Sequence, residues 1–477
     1  MRPIQIGGKL RRLRQERRLT QGQLAAELGI SPSYLNLIES NRRPVTARVL
    51  LQIADKLKID ISSLGGTGDD ERLTSELMEA LSDPVFEEHD VKVSDVRELV
   101  ATLPSVGHAL VALYRSHLLN DGSAAGELSG SGENSLAVLP SEEVSELIQQ
   151  RLNHFPELER AAEKLWHDND VALHNLQPDL IRVLSQRFAV QVEIVPAERM
   201  PNLLRSYNPL TRRLQLSEML APSGRIFQLA HQIAFLAHRP QLELLAGGKL
   251  TSPASEALAR SALANYFAGA VMMPYGRFIE AARASRYDLD ILQARFGVSF
   301  EQACHRLTTL RRPNDEGIPF HLIRVDIAGN ISKRFSASGI HMARFGAACP
   351  RWNVYDAFAT PGMLRVAVSQ MPEGQTYFCV ARTISSGRQG AHRGGLPQRV
   401  EKLAIGLGCA VHHARSIVYA DGLTLDDPKI VTPIGVSCRT CPRNDCLDRA
   451  SPALAQKLEI DDNTRGVSPY MTHTASS

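Results

Sequence analysis

No uninterrupted apolar run in these 477 residues approaches the roughly 18 to 20 positions needed to cross a bilayer, and the start, MRPIQIGGKLRRLRQERR, lacks the apolar stretch of a secretory signal. Both absences lead to the expectation of a cytoplasmic protein. Net charge is nearly absent as well: 54 Lys and Arg offset 51 Asp and Glu, leaving +3. That balance says almost nothing about partners. Cysteines are few and odd in number, seven in all, so a disulfide framework is not expected in a reducing compartment, and metal or redox use is the better reading. A fixed-period repeat is missing too. What is present is apolar material, 43% of the chain, enough for buried cores and too much for wholesale disorder. At roughly 100 to 200 residues per domain, the length implies two to four domains.

The near-zero charge hides a strong asymmetry. Residues 1–60 hold 12 basic and 5 acidic side chains, a local +7, whereas residues 69–100 hold 11 acidic and 3 basic, a local −8. This pattern suits a nucleic-acid-binding module joined to a part that avoids nucleic acid; two solvated faces that balance each other are the alternative. A second boundary lies at DGSAAGELSGSGENS, residues 121–135, where eight of fifteen are Gly or Ser, the composition of a flexible linker.

Residues 9–64 divide into short helical stretches: KLRRLRQERR, TQGQLAAELG, SPSYLNLIES, TARVLLQIADKLKI and ISSLG. Thr20 is an N-cap with Gln23 as its capping-box partner, Gly29 supplies the following turn, and Ser31-Pro32 opens the third helix. Leu24, Ala25, Leu28, Ile30, Leu35, Ile38, Val49, Leu50 and Ile53 form the expected small core. The third helix is expected to enter a major groove, with Ser31 at its start and Ser33, Tyr34 and Asn36 facing base edges. Gln21, at the positive end of the second helix, and Arg42 and Arg43 beyond the third suit phosphates. A helical bundle that binds protein is the alternative. The segment resembles the Xre/Cro-like helix-turn-helix family. Because such domains commonly read two-fold sites, the resemblance implies a homodimer or higher homo-oligomer on a double-stranded operator.

Residues 141–312 read as helices with one strand, VQVEIVPA from Val190, before the texture changes at Ile318 to short β-branched runs: FHLIRVDI, LRVAVSQM and TYFCVART. FQLAHQIAFLAH, residues 227–238, and ALANYFAGAVMMP, residues 262–274, resemble the ImmA/IrrE-type metallopeptidases. Zinc hydrolysis on such a helix needs two His four apart and a Glu to activate water. Here His231 occupies the first position, Gln232 replaces the Glu, and Phe235 replaces the second His. An amide is no useful base and a phenyl ring cannot ligate, so peptidase chemistry is not expected and a retained fold is.

Cys438, Cys441 and Cys446 give a C-x2-C-x4-C spacing on a turn-rich segment after Pro433 and Gly435. Three thiolates so close can converge on one metal, and Arg439, Arg443 and Arg449 would lower their pKa values and offset their charge. Zinc would need a fourth ligand that no second C-x2-C supplies. An iron–sulfur cluster accepts three cysteines and another group; reactive, unmetallated thiols are the third reading. Cys409, or His412 or His413 beside it, is the candidate fourth ligand. Cys304, Cys349 and Cys379 sit in apolar or strand-like runs and read as packing residues. The segment AGNISKRFSASG offers Asn330, Lys333 and Arg334, with Arg324 on the preceding strand, as groups that suit the phosphates of a nucleotide-bearing effector; an ordinary polar loop is the alternative.

From about residue 9 to 470, the domain order and long strings such as GIPFHLIRVDIAGNISKRFSASGIHMARFGAACPRWNVYDAFATPG and PIGVSCRTCPRNDCLDRA resemble the short-chain fatty acyl transcriptional regulator family. The resemblance implies a non-enzymatic regulator of short-chain fatty acid catabolism, such as the methylcitrate (propionate) and glyoxylate (acetate) routes. It further implies an acyl-CoA effector and a [4Fe-4S] cluster, with zinc as the alternative. A peptidase that cleaves a partner repressor is the competing class. The expected fold is multidomain, mainly α in its N-terminal and central regions and mixed α/β at the C-terminus. Boundaries are expected at 1–66 for the DNA-binding domain, 67–120 for an acidic helical connector, 121–140 for the linker, 141–316 for the degenerate peptidase-like domain and 317–477 for the sensor domain with its cysteine cluster.

Overall fold

The computed structural model describes residues 19–39, 68–83, 91–123, 139–201, 203–248, 250–343, 348–385 and 402–453, with isolated positions between them such as Leu10, Arg14, Arg43, Val49 and Ile53. The chain forms two compact units. One contains residues up to 137 and from 437 onward; the other contains residues 138–342 and 347–436.

In the first unit, α1 (Gln21–Glu27) and α2 (Pro32–Glu39) form the helix-turn-helix pair. The capping box is present: Thr20 Oγ1 accepts from Gln23 N–H at 3.3 Å, and Gln23 Oε1 accepts from Thr20 N–H at 2.8 Å. Gly29 turns the chain at φ +62°, where a Cβ would be strained, and lets Ile30 N–H reach back to the Ala25 carbonyl at 2.9 Å. Leu10, Leu24, Ala25, Leu28, Leu35, Ile38, Val49 and Ile53 are buried together, with Ile30 partly so. Leu50 and Arg42, both singled out above, lie outside the described residues, as does most of the Gly/Ser linker.

The connector is a three-helix assembly, α3 (Gly68–Ala80), α4 (Val93–Thr102) and α5 (Pro104–Ser123), closed over Leu73, Leu77, Val96, Val100 and Val111. Gly107 lets α5 lie close to α3, since a Cβ there would stand 3.1 Å from Leu77 Cδ1.

The second unit opens with α6 (Pro140–Gln150), α7 (Pro156–Asp168) and α8 (Leu176–Phe188). The helical run before Trp166 is broken at Leu152 and Asn153, both at positive φ, just ahead of the Pro156 that starts α7. A small sheet follows, with β1 (Gln191–Val195) parallel to β3 (Arg213–Ser217) and β2 (Arg205–Asn208) antiparallel to it. Next come α9 (Pro222–Ala237), α10 (Arg239–Ala246), α11 (Pro253–Met272), α12 (Tyr275–Ala284), α13 (Leu289–Phe296) and α14 (Phe300–Leu307). The C-terminal part of helix α11, from Leu263 to Met272, is almost wholly apolar and mostly buried, and the helix packs against α6, α7, α9 and α10.

The larger sheet contains β4 (His321–Asp326), β5 (Ile331–Ser336), β6 (Arg365–Gln370), β7 (Thr376–Ser385), β8 (Lys402–Ala410) and β9 (Val431–Pro433) in the order β5-β4-β8-β7-β6-β9. Only the β6–β9 pairing is parallel. Alternation along β7 sends Phe378 and Val380 into one core and Tyr377, Cys379 and Ala381 into another on the opposite face.

The first of these cores is continuous from Val144 to Ala420 and joins helices to sheet. Ion pairs cross the same junction, Arg324 and Lys333 to Glu301 and Arg286 to Asp421. The change of texture near residue 316 therefore marks a change of element type inside one compact body. The cysteine tail, expected as an appendage of the sheet domain, instead belongs to the unit that holds the DNA-reading helices.

Candidate nucleic-acid interface and sensor sites

On α2, Ser33 and Asn36 project from the exposed face, while Leu35 and Ile38 are buried beneath them. Ser31 Oγ accepts from Tyr34 N–H at 3.1 Å, which fixes the start of the helix. Two expectations need correction. The Tyr34 ring is half-buried against the small core with the Arg43 guanidinium 5.4 Å from its centroid, so it anchors the helix more than it offers itself to a base. The Gln21 side chain donates to Glu39 at 2.8 Å, and Arg14 grips the same buried carboxylate at 2.7 and 3.0 Å. What Gln21 leaves for a phosphate is the amide end of α1. Arg43 is exposed, as a phosphate contact requires.

The cysteine segment wraps around Arg449, which is 5% exposed. Its guanidinium donates to the carbonyls of Cys438 at 2.7 Å and Cys441 at 3.0 Å, and also to that of Arg443. All of its partners among the described residues are carbonyls, so a buried positive charge stands beside three thiols without a carboxylate. The Ala450 N–H is directed at Cys438 Sγ at 3.4 Å. A thiolate-ligated centre suits both features, because it supplies the missing negative charge and accepts amide hydrogens. Burial pushes the Cys441 thiol up, with Arg449 and Arg443 pulling against it. No three His, Cys, Asp or Glu side chains already stand together as a ligand set among the described residues.

Cys409 does not fit the fourth position. It is fully buried on β8 opposite Phe378, in the continuous core of the other unit, and burial raises its thiol pKa strongly. His412 and His413 belong to that unit too, their ring centroids 4.0 Å apart. Cys304, Cys349 and Cys379 are buried, as packing residues should be.

The four candidate phosphate contacts are engaged by their own chain. Arg324 and Lys333 share Glu301 at 2.8 and 3.0 Å, and Arg334 is paired with Glu142. Asn330 closes the β4–β5 hairpin on Asp326 at 2.9 Å. Within that segment Ile331–Ser336 form strand β5, whose cations Lys333 and Arg334 pair with neighbouring helices. A different basic group escaped the sequence reading. His238, at the end of α9, has its pKa lowered by burial and then by Arg187 and Lys164, two exposed cations with no carboxylate partner among the described residues. They come from separate helices, so no local motif betrays them.

In the peptidase-like helix, His231 is buried with Phe235 packed on it, ring centroids 5.1 Å apart. Its Nδ1 accepts from Arg205 Nη1 at 2.5 Å, which closes that nitrogen to a metal. Burial and the Arg205 charge pull its pKa down to about 4.

Comparison with known proteins follows this arrangement. Residues 10–64 match a helix-turn-helix family, residues 185–308 an IrrE N-terminal-like domain, and residues 309–470 the family described as short-chain fatty acyl coenzyme A regulator, C-terminal. The chain is 39% identical to the HTH-type transcriptional regulator PrpR of Mycobacterium tuberculosis, over 97% of this chain and 95% of that one. It is 40% identical to RamB, another HTH-type transcriptional regulator of that organism, over 98% of both, and 38% identical to a propionyl-CoA carboxylase regulator of Cereibacter sphaeroides, again over 98% of both. A solved Mycobacterium tuberculosis transcriptional regulator superposes with a TM-score of 0.66 at 39% identity, covering 70% of this chain and all of that one. These relatives are regulators, not enzymes, and no single helix among the described residues is long and apolar enough to cross a membrane. With likeness running the full length of both chains, the protein belongs to the short-chain fatty acyl coenzyme A regulators, DNA-binding transcriptional regulators with a helix-turn-helix head.

Proposed function

We propose that this regulator controls genes of propionate or acetate catabolism, working in the cytoplasm as a homodimer whose operator affinity responds to a short-chain acyl-CoA. The observation that carries the reading is the union, in one chain, of the helix-turn-helix head with a match to the acyl coenzyme A regulator domain over residues 309–470. Ser33 and Asn36 read base edges, and Arg43 holds phosphate.

Cys438, Cys441 and Cys446 provide three ligands of a [4Fe-4S] cluster, with zinc as the alternative metal. When bound, such a cluster supplies a redox- and oxidant-sensitive centre. This chain's part is to hold the loop through Arg449 and to balance the cluster's charge.

A gel-shift titration on the DNA upstream of its own gene tests the main reading. Binding should weaken with salt and change with propionyl-CoA or acetyl-CoA; operator affinity indifferent to both effectors would sink it. Anaerobic purification with iron and sulfide counts tests the cofactor. Cys441→Ser should lose both, whereas stoichiometric zinc in the wild type would select the alternative.

A further inference from the structure

The charge of the connector is unevenly shared among its helices. Helices α3 and α4 hold seven Asp and Glu against two Arg, whereas α5 has no Asp, Glu, Lys or Arg from Pro104 to Tyr114. One side of that uncharged stretch packs inward: Gly107 lies against Leu73 and Leu77, and Val111 and Tyr114 are buried. The other side is open. Val106 is 43% exposed and Leu113 61%, with Ala109 exposed between them and Leu110 half-buried at the edge. These four positions fall at i, i+3, i+4 and i+7, the spacing of a single apolar stripe on a helix. Leu103, 54% exposed, stands at the 118° bend just before it. Helix α5 is therefore apolar on two sides, and only one of them has found a core.

The charges favour a second copy of this chain as the cover. Two connectors repel each other wherever α3 or α4 would meet its counterpart, but they can meet along α5 with no like charges opposed. An uncharged stripe is also complementary to itself, as a two-fold contact between identical surfaces requires. The connector follows directly on the helix-turn-helix head, so a two-fold DNA site brings two connectors together. The chain's own next segment is a poor cover, since residues 124–135 contain Leu128 as their one large apolar side chain. The size of the stripe sets its strength: it offers on the order of a few hundred Å² per copy, well short of the roughly 800 Å² a side of a standard interface. Such a contact is weak in free solution and closes once DNA holds two heads side by side at high effective concentration.

We propose that the exposed stripe of α5, formed by Val106, Ala109, Leu110 and Leu113, is the surface on which two copies of this chain meet when both sit on one operator. The proposal rests on the homodimer of the regulatory reading and gives that dimer a location.

Fluorescence anisotropy of the full-length protein tests it on the DNA upstream of its own gene, beside the same fragment with half of the footprint scrambled. The wild type should fill the whole site in one cooperative step and bind the half site more weakly. Leu113→Glu should split whole-site binding into two steps and weaken it by about tenfold, with half-site affinity unchanged, and Leu113→Ile should behave as the wild type. Leu113 is exposed, so the melting temperature of Leu113→Glu should match that of the wild type; if it melts early, Ala109→Glu carries the test through the same loss of cooperativity. Cooperative binding that survives in both variants overturns the proposal and leaves the dimer standing on another surface. A wild type that binds whole and half sites alike removes the dimer itself, and the proposal with it.

Discussion

His231 and His321 are two imidazoles that folding holds neutral, burial taking the first to about 4 and the second to about 3. His321 is enclosed by Ser338 at 2.8 Å on Nδ1 and the Cys379 thiol at 3.5 Å on Nε2. An unfolded histidine titrates near 6.5, so as pH falls the unfolded chain takes up protons first. Their stabilisation is complete above about pH 6.5 and is lost as pH drops towards 4 and below. Thermal melts should therefore be flat near neutrality and decline through this window, with a shallower decline in His231→Gln. The DNA-facing residues make a different prediction. Arg43→Ala should weaken binding to all sequences alike and lower the salt slope by about one, while Asn36→Ala should cost about 1 to 3 kcal/mol and relax specificity at one base. Competition gel shifts at several salt concentrations separate the two.

Among the elements, the head was readable because its signals are local. Thr20, Gln23, Gly29 and Ser31 act within four residues of themselves, and each does in the structure what its type requires. Thr20→Ala should cost about 1 kcal/mol of stability, measurable by denaturant titration. The strands at Gln191–Val195, His321–Asp326, Arg365–Gln370 and Thr376–Ser385 were legible from β-branched composition. Strand β8 was not, because Gly406 and Gly408 interrupt its pattern. The reason is on its neighbours: a Cβ at Gly408 would stand 2.5 Å from His321 Nε2 and 2.7 Å from Cys379 Sγ. Equally invisible was the ion pair that ties α7 to α14. Glu159 and Arg306, each 2% exposed at the side chain, meet at 2.6 and 2.9 Å; Tyr266 adds a hydrogen bond to the carboxylate and the Met273 carbonyl accepts from the guanidinium. Pairs 147 residues apart leave no pattern in one sequence. Glu159→Gln strands a buried cation and should cost about 3 to 5 kcal/mol, read as a lowered midpoint in urea.

For the whole molecule, charge arithmetic separated a basic head from an acidic connector that was expected to avoid nucleic acid. In the structure it receives the arginine-rich cysteine tail: Arg439 donates to the Ser82 carbonyl and lies near enough to Tyr114 to act against the pull of Asp83 and Glu79 on that phenol. The tail therefore touches the helices that follow the DNA reader. Deleting residues from 437 onward should speed amide exchange in α3 and α5 while leaving α11 protected, as hydrogen-exchange mass spectrometry would show.

Ser82 and Arg439 are 357 residues apart in sequence, and that separation orders the protein's birth. The connector emerges from the ribosome well before Arg439, so this contact closes only after the whole of the other unit has been synthesised. The unit that begins first finishes last. A chain cut before Ser437 keeps the helix-turn-helix pair whole and loses the clasp that Arg439 places on the connector.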